Sequence, residues 1–295
     1  MNLVDYFKRG TSLMRLIYIN VVLFVIVKLA GLLLVLFNIN PGALTTYFEL
    51  PSNLHTLLYQ PWSVVTYMFF HVGFSHIFFN MIALYWFGRI ALEYFSQKQL
   101  VGLYLLGGVA GALLYVVAYN VFPYFALSVD HSYLLGASGA VLAVCTAAAT
   151  VNPRYPIRLL FIGEIKLVWL AAGMVVVSLL GITGSNAGGE FAHIGGAVLG
   201  YFYGVSWKKG IDWSRPVTRC IDWLSNLFRP RPKIKVTRGA RTTASASRPM
   251  TDAEYNTQRR DNAAAIDAIL DKIKQRGYES LTADEKRELF DRSRK

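Results

Sequence analysis

The chain has 295 residues, of which 54% are hydrophobic, and it carries a formal net charge of +12 at pH 7. The apolar residues between positions 15 and 207 form blocks about as long as the ~20 residues with which a helix crosses a bilayer, which argues against a soluble globular domain. From Lys208 onward the chain has 21 basic and 12 acidic residues, so we assign most of the charge to a solvated tail rather than to nucleic-acid binding.

Six apolar segments are predicted to cross a membrane as helices, which gives an all-α membrane fold. The first contains Lys28 and lacks a small-residue cleavage site, so it is predicted to be a retained helix rather than a signal peptide. Cys145 falls in a predicted helix and Cys220 in the tail, and no disulfide is expected on the cytoplasmic side. In chain order the predicted segments are Leu16–Phe37, Ser75–Tyr94, Leu100–Asn120, Leu134–Val151, Ile165–Gly181 and Phe191–Trp207.

Lysine and arginine residues occur in every second connection between these segments. The connections 38–74, 121–133 and 182–190 contain neither residue, whereas the other connections and both ends of the chain do. Because basic residues are retained on the cytoplasmic side, both termini are predicted to be cytoplasmic. The predicted location is the cell membrane, crossed several times, with the second, fourth and sixth helices beginning on the outer side.

Four polar residues lie near the outer ends of these three helices: His76, Asn80, Ser138 and His193. At a rise of ~1.5 Å per residue they are expected at similar shallow depths. Each has an ordinary explanation by itself, since a lone serine is usually structural, a histidine near a helix end is interfacial, and an asparagine bonds a neighbouring helix. Polar groups inside a membrane are costly and usually face a partner or a cavity, so their shared depth favours a functional site.

Small residues offer a way to bring two of these helices together. The sixth predicted helix has Gly196, Gly200 and Gly204 at four-residue spacing, a pattern that lets two helix backbones approach closely. The fourth predicted helix has small residues of its own, which are Gly136, Ala137, Gly139, Ala140 and Ala143. Helix packing alone would explain the glycines, but not a serine and a histidine at the outer ends of the same helices. If the small faces meet, Ser138 and His193 come within hydrogen-bond reach.

A serine beside a histidine suits nucleophilic catalysis. His193 is predicted to take the hydroxyl proton of Ser138 and later to protonate a leaving amine. The Asn80 side chain, His76 and the backbone N–H of Ser138 are predicted to donate hydrogen bonds to an oxyanion. No acidic residue occurs in the outer half of the predicted helices, which predicts a dyad rather than a Ser-His-Asp triad. The sequence lacks H-E-x-x-H and a pair of helix-borne aspartates, so zinc and aspartyl mechanisms are disfavoured.

Three motifs follow one another across the predicted helices: HVGFSHIFFN, GASGA and AHIGGAVLG. Together they resemble the motifs of rhomboid intramembrane serine proteases, and the resemblance covers roughly residues 10–207. It implies cleavage of transmembrane protein substrates near their outer end, within the lipid bilayer and without a metal or cofactor. The site residues that it implies are the nucleophile Ser138, the base His193, the oxyanion contributors His76 and Asn80, and Gly136 beside that pocket.

Two positions depart from the family pattern. Ser63 follows Trp62 where the family often has arginine, and Leu142 replaces a tyrosine that in some members stacks on the catalytic histidine. Neither departure affects the dyad. His71 is interpreted as an interfacial loop residue, with a relay for water or substrate as the alternative.

Four parts of the chain are predicted: a cytosolic segment 1–14, a six-helix rhomboid protease core 15–207, a basic linker 208–260 and a small cytosolic helical hairpin 261–295. The linker segment 229–241 is expected to be attracted to anionic lipid. In the hairpin, Glu285 stands at capping-box spacing from Thr282. The hairpin resembles C-terminal extensions of some bacterial rhomboids, and the sequence does not identify its partner.

Two other functions are considered for the chain. One is a non-catalytic rhomboid-like protein that binds client helices, which the presence of both dyad residues disfavours. The other is a small transporter, which is disfavoured because the expected repeat symmetry and midplane charges are lacking.

Overall fold

Long helices make up most of the chain in the computed structural model, which describes residues 10–159, 163–227 and 251–293. Two compact units divide the chain, Met1–Pro230 and Arg231–Lys295. The helices of the first unit are α1 (Ser12–Leu36), α2 (Gly42–Thr46), α3 (Leu54–Tyr59), α4 (Ser63–Thr66), α5 (Phe74–Ala91), α6 (Gln97–Val121), α7 (Ser138–Val151), α8 (Leu167–Gly181), α9 (Ala187–Lys208) and α10 (Arg215–Leu227). Its short strands form two antiparallel pairs, β1 (Leu50–Pro51) with β2 (Tyr133–Leu134) and β3 (Pro156–Leu159) with β4 (Gly163–Lys166). The second unit contains α11 (Asp252–Arg276) and α12 (Ala283–Ser293).

Two of the described helices, α1 and α6, are long and apolar enough to cross a membrane by themselves. The stretch Ser63–Phe69 meets α5 at a bend of 94°, and the two qualify as a third crossing if they form one broken span. Helices α7 and α8 are apolar but have only 14 and 15 residues, fewer than the ~20 of a full crossing. The chain is therefore a mostly helical membrane protein, and the count of six crossings stays a prediction.

Helix α7 begins four residues later than predicted for the fourth segment, at Ser138 instead of Leu134. Tyr133–Leu134 forms strand β2 instead. Gly136 then has a φ of +128°, a conformation that glycine adopts far more readily than other residues, and its N–H donates to the carbonyl of Tyr67 at 3.0 Å. The helix cannot extend back through this residue, so Ser138 is its first residue rather than lying four residues inside it.

Helix α9 begins four residues earlier than predicted for the sixth segment, at Ala187 instead of Phe191. Its first turn contains two glycines and a glutamate, so these residues do not belong to the apolar segment from which the helix was predicted. A carboxylate is nevertheless favourable at a helix N-terminus, because the macrodipole is positive there. As a result Glu190, assigned to a loop from the sequence, lies in the helix one turn before His193. The remaining boundaries of the six predicted membrane segments agree with the structure to within four residues.

Helices α7 and α9 approach each other through the small residues that the sequence singled out. A Cβ placed on Gly196 would lie 2.0 Å from the carbonyl oxygen of Gly139, and one on Gly200 would lie 2.2 Å from that of Ala143. Only glycine permits backbones this close, so the predicted meeting of the two small faces is confirmed. Helix α7 is buried from Gly139 to Ala149, which places it in the core of the first unit.

The second unit shows the predicted capping box. The N–H of Glu285 donates to Oγ1 of Thr282 at 3.3 Å, and the N–H of Thr282 donates to Oε2 of Glu285 at 2.7 Å. Nζ of Lys272 lies 2.9 Å from Oε1 of Glu285, so an ion pair joins α11 to α12. Ile269 and Leu281 are the buried apolar residues of this unit among those described.

The predicted linker 208–260 contains helix α10 and the beginning of α11, so part of it is helical rather than irregular. Within that linker, the segment 229–241, expected to be attracted to anionic lipid, lies outside the described residues. The same holds for residues 1–9 of the predicted cytosolic N-terminal segment.

Candidate active site

Three of the five predicted site residues, Asn80, Ser138 and His193, line one cavity of about 610 Å³. They come from α5, α7 and α9, so three motifs that are distant in the sequence meet in one place. Most of the other lining residues are apolar, and they include the largely exposed Phe79 and Trp169. Such a cavity suits an apolar segment that reaches a few polar groups. Within the described residues, no three His, Cys, Asp or Glu side chains are grouped as a metal site would require.

Ser138 lies at the N-terminus of α7, which gives it a free backbone donor. A first helical residue has no intrahelical carbonyl for its N–H, and no backbone hydrogen bond among the described residues uses the N–H of Ser138. The helix N-terminus also carries the positive end of the macrodipole. An anion that develops beside Oγ of Ser138 would therefore be stabilised by the N–H and by the dipole together.

The imidazole of His193 is held through its Nδ1 atom. Oγ of Ser178 on α8 lies 3.0 Å from Nδ1, and Oε2 of Glu190 lies 3.2 Å from it. The side chains of His193 and Glu190 are 23% and 17% exposed, so the pair is largely shielded from solvent. The prediction that the outer half of these helices contains no acidic residue is therefore wrong for α9, whose first turn contains Glu190. The signal available in the sequence was the three-residue spacing, which places both residues on one face of a helix.

Ser138 and His193 lie on the two helices in closest contact and line the same cavity. The hydrogen bonds of the described residues do not include one between them. Because Nδ1 of His193 is occupied by Ser178 and Glu190, Nε2 is the ring nitrogen left to act as a base. Catalytic hydrogen bonds are often long without substrate and shorten in the complex. The contact between hydroxyl and imidazole thus stays a prediction.

His76 and Asn80 lie one turn apart on α5, close to Gly136. A Cβ placed on Gly136 would lie 2.8 Å from Nε2 of His76 and 3.8 Å from Oγ of Ser138, so the imidazole and the hydroxyl flank this glycine. Nδ2 of Asn80 donates to the carbonyl of His76 at 2.9 Å and has a second N–H. Asn80 lines the cavity, whereas His76 approaches Ser138 across Gly136. The structure brings these residues together, and their roles in catalysis stay predictions.

His71 is buried, in contrast to its interpretation as an interfacial loop residue. It is only 6% exposed, and neither of its ring nitrogens has a hydrogen-bond partner among the described residues. Its ring centroid lies 5.0 Å from that of His76. No sequence pattern indicates this burial, because His71 precedes the helix and has no apolar periodicity around it. Unpaired nitrogens beside His76 fit the alternative of a relay better than they fit an interfacial loop.

The two departures from the family pattern have local partners in the structure. Nε1 of Trp62 donates to the carbonyl of Tyr47 at 2.9 Å, and Oγ of Ser63 donates to that of Gln60 at 2.6 Å, which closes a local turn. Leu142 is buried one turn after Ser138 and lines the cavity. It offers the cavity an apolar surface where a tyrosine would offer a ring and a hydroxyl.

Comparison with known proteins places these observations in a family. A model described as Rhomboid domain matches residues 59–209, and one described as Family of unknown function (DUF6576) matches residues 250–295. RHOMBOID-like protein 12, mitochondrial, from Arabidopsis thaliana is 30% identical over 169 residues, which cover 54% of this chain and 48% of the relative.

Two further relatives carry rhomboid names. Presenilin-associated rhomboid-like protein A, mitochondrial, from Danio rerio is 29% identical over 172 residues, covering 56% of this chain and 42% of the relative. Rhomboid protein 1, mitochondrial, from Saccharomyces cerevisiae is 29% identical over 161 residues, covering 52% and 44%. The chain spans about half the length of the curated relatives it matches. Since the Rhomboid domain match takes in just over half of the chain, the chain belongs to the rhomboid family.

Proposed function

We propose that the chain is an intramembrane serine endopeptidase that cleaves transmembrane segments of other proteins, with Ser138 as nucleophile and His193 as general base. The observation that carries the proposal is the shared cavity of Ser138, His193 and Asn80 in a member of the rhomboid family. The apolar lining of that cavity supports an apolar peptide as substrate.

The mechanism follows from the positions of the polar groups. Oγ of Ser138 attacks the scissile carbonyl carbon while its proton passes to Nε2 of His193. The oxyanion accepts hydrogen bonds from the N–H of Ser138, with Asn80 and His76 as side-chain donors. When the C–N bond breaks, the imidazolium gives its proton to the leaving amine. A water molecule deprotonated by the same imidazole then hydrolyses the acyl ester and restores the serine.

The proposed topology has six helices that cross the membrane, and it places both termini on the cytoplasmic side. Helix α7 has 14 residues and thus a length of about 21 Å, compared with the ~30 Å of the hydrocarbon core. If its C-terminal end meets the cytoplasmic surface near Arg154, its first residue lies several ångströms below the outer surface. Ser138 would then be embedded and yet open to water from the outer side.

The names of the three relatives indicate a different membrane from the one predicted from the sequence. Their names place all three in mitochondria, whereas the charge pattern of the sequence predicted the cell membrane. The names of the relatives and the charge pattern agree that the protein lies in a membrane. Fractionation of the native cells, with marker proteins for each membrane, tests the prediction, and recovery away from the cell-membrane marker would contradict it.

The test of function is cleavage of a reporter transmembrane segment in liposomes. Ser138→Ala and His193→Ala are expected to abolish cleavage, because the first removes the nucleophile and the second the base. Ser206→Ala, on α9 but outside the cavity, is the matched control and is expected to cleave normally. Equal membrane insertion of all variants must be shown by protease protection. Normal cleavage by Ser138→Ala or by His193→Ala would refute the proposed function.

The second candidate is a rhomboid-like protein without catalysis that binds client helices. It is favoured by one observation, which is that no hydrogen bond among the described residues joins Ser138 to His193. A fluorophosphonate probe separates the two functions, because only an activated serine is phosphonylated. Labelling of the wild type and not of Ser138→Ala supports the enzyme, and lack of labelling supports the binder.

A further inference from the structure

We infer that Glu190 is a positioning residue for His193, so that the site works as a Ser-His-Glu triad. The inference rests on the proposed function and assigns the role of Asp in a Ser-His-Asp triad to a side chain on the histidine's own helix. Glu190 would hold the ring in one tautomer and stabilise the imidazolium that forms during acylation.

The geometry around Nδ1 selects one tautomer of His193. A carboxylate can only accept hydrogen bonds, so Oε2 of Glu190 at 3.2 Å requires a proton on Nδ1. Oγ of Ser178, at 3.0 Å from the same nitrogen, can also accept and is compatible with that tautomer. Without the proton, the lone pairs of Nδ1 and of the carboxylate would face each other at 3.2 Å. Nε2 is therefore left unprotonated and able to take the proton of Ser138.

The surroundings hold the carboxyl group of Glu190 in place. A Cβ added to Gly181, at the end of α8, would lie 2.9 Å from Cγ and 3.0 Å from Cδ of Glu190, so the side chain packs against this glycine. Nδ2 of Asn186 lies 3.5 Å from Oε1, which gives the second oxygen a donor. The positive end of the α9 macrodipole also favours a negative charge at this position.

The low exposure of the pair makes its electrostatic attraction matter. Glu190 and His193 are both more than three-quarters shielded from solvent, where the effective dielectric constant is lower than in water. Acylation creates a positive charge on the imidazole, so the fixed carboxylate stabilises the transition state more than the ground state. A role limited to the stability of the helix N-terminus would instead leave the rate per active molecule unchanged.

The test measures cleavage of the reporter segment per active molecule, counted by fluorophosphonate titration of Ser138. Glu190→Ala is expected to lower kcat by up to ~10⁴-fold and to leave KM unchanged, because ring orientation and charge are lost while substrate contacts remain. Glu190→Gln is expected to lose about as much, since an amide carries no charge and its N–H can donate to Nδ1, which favours the wrong tautomer. Ser178→Ala is the matched control, removing the other partner of Nδ1, and is expected to lose less than Glu190→Ala.

A second measurement does not depend on turnover. In protein labelled with ¹⁵N-histidine, the Nδ1–H resonance of His193, identified by its loss in His193→Asn, is expected downfield in the wild type and shifted in Glu190→Ala. An unchanged kcat per titrated site, or an unshifted resonance, in Glu190→Ala would overturn the role of Glu190 while the dyad stands. Lack of cleavage and labelling by the wild type would instead refute the proposed function itself.

Discussion

Substitution of Gly196 by alanine tests whether contact between two backbones sets the geometry of the site. The new Cβ would lie 2.0 Å from the carbonyl oxygen of Gly139, about 1.4 Å short of the 3.4 Å at which ordinary contact begins. All three nearest atoms to this Cβ belong to the backbone of Gly139, so α7 and α9 must move apart to relieve the clash. Overpacking of this kind typically costs ~1–3 kcal/mol, a moderate part of the ~5–15 kcal/mol that holds a typical domain folded.

The effect of Gly196→Ala on the rate is expected to exceed its effect on stability. A shift of ~1 Å between reacting groups can cost ~10²-fold in rate, whereas most molecules stay folded. Cleavage and thermal unfolding would be measured on the same detergent-solubilised preparation. Gly31→Ala on α1 is the control, because its Cβ would meet only Cβ of Pro41 at 3.6 Å. Unchanged cleavage by Gly196→Ala would show that the α7–α9 contact does not position the dyad.

Two further predictions concern a strained glycine and a partly buried ion pair. Gly136→Ala is expected to insert normally but to lose most cleavage, because a Cβ would meet His76 at 2.8 Å and a φ of +128° is unfavourable for alanine; wild-type cleavage would remove Gly136 from the site. The hydrogen bonds from Lys272 and from the N–H of Thr282 lower the pKa of Glu285 to about 2. Its stabilising contribution is thus full above the ordinary value of ~4.3 and is lost as the pH falls toward about 2. Carboxyl ¹³C NMR should show that low midpoint and a rise in Lys272→Ala, and an ordinary midpoint in the wild type would refute the ion pair.

The grouping of Ser138, His193 and Asn80 was accessible from the sequence because two independent patterns agreed. The alternation of basic residues predicted which helix ends share a side, and the glycine spacing indicated which helices touch. Both patterns depend on side-chain type and spacing alone. They therefore do not depend on locating the helix ends to within one turn.

The exact ends of the helices could not be predicted from the sequence. The helix ends nevertheless contain the groups closest to the proposed chemistry. Apolarity marked where a segment is hydrophobic, but a helix can begin in a polar turn, as α9 does at Ala187, or after an apolar strand, as α7 does at Ser138. Because the start of α9 was predicted too late, Glu190 was assigned to a loop. Because the start of α7 was predicted too early, Ser138 was placed inside a helix and its free N–H was not predicted. The burial of His71 depends on packing between distant segments, of which no local pattern gives a sign.

The contact between Gly139 and Gly196 links the stability of the bundle to the geometry of the site. Gly139 follows Ser138 directly, and Gly196 lies three residues after His193, so this backbone contact is within one turn of both Ser138 and His193. Replacement of a helical glycine by alanine ordinarily stabilises a helix by ~0.5–1 kcal/mol. Here the same change forces two backbones apart, so the gain in helix propensity is outweighed by the clash. Greater stability from higher helix propensity is therefore available at Gly31, away from the site, and not along the glycine stripe where α7 and α9 meet.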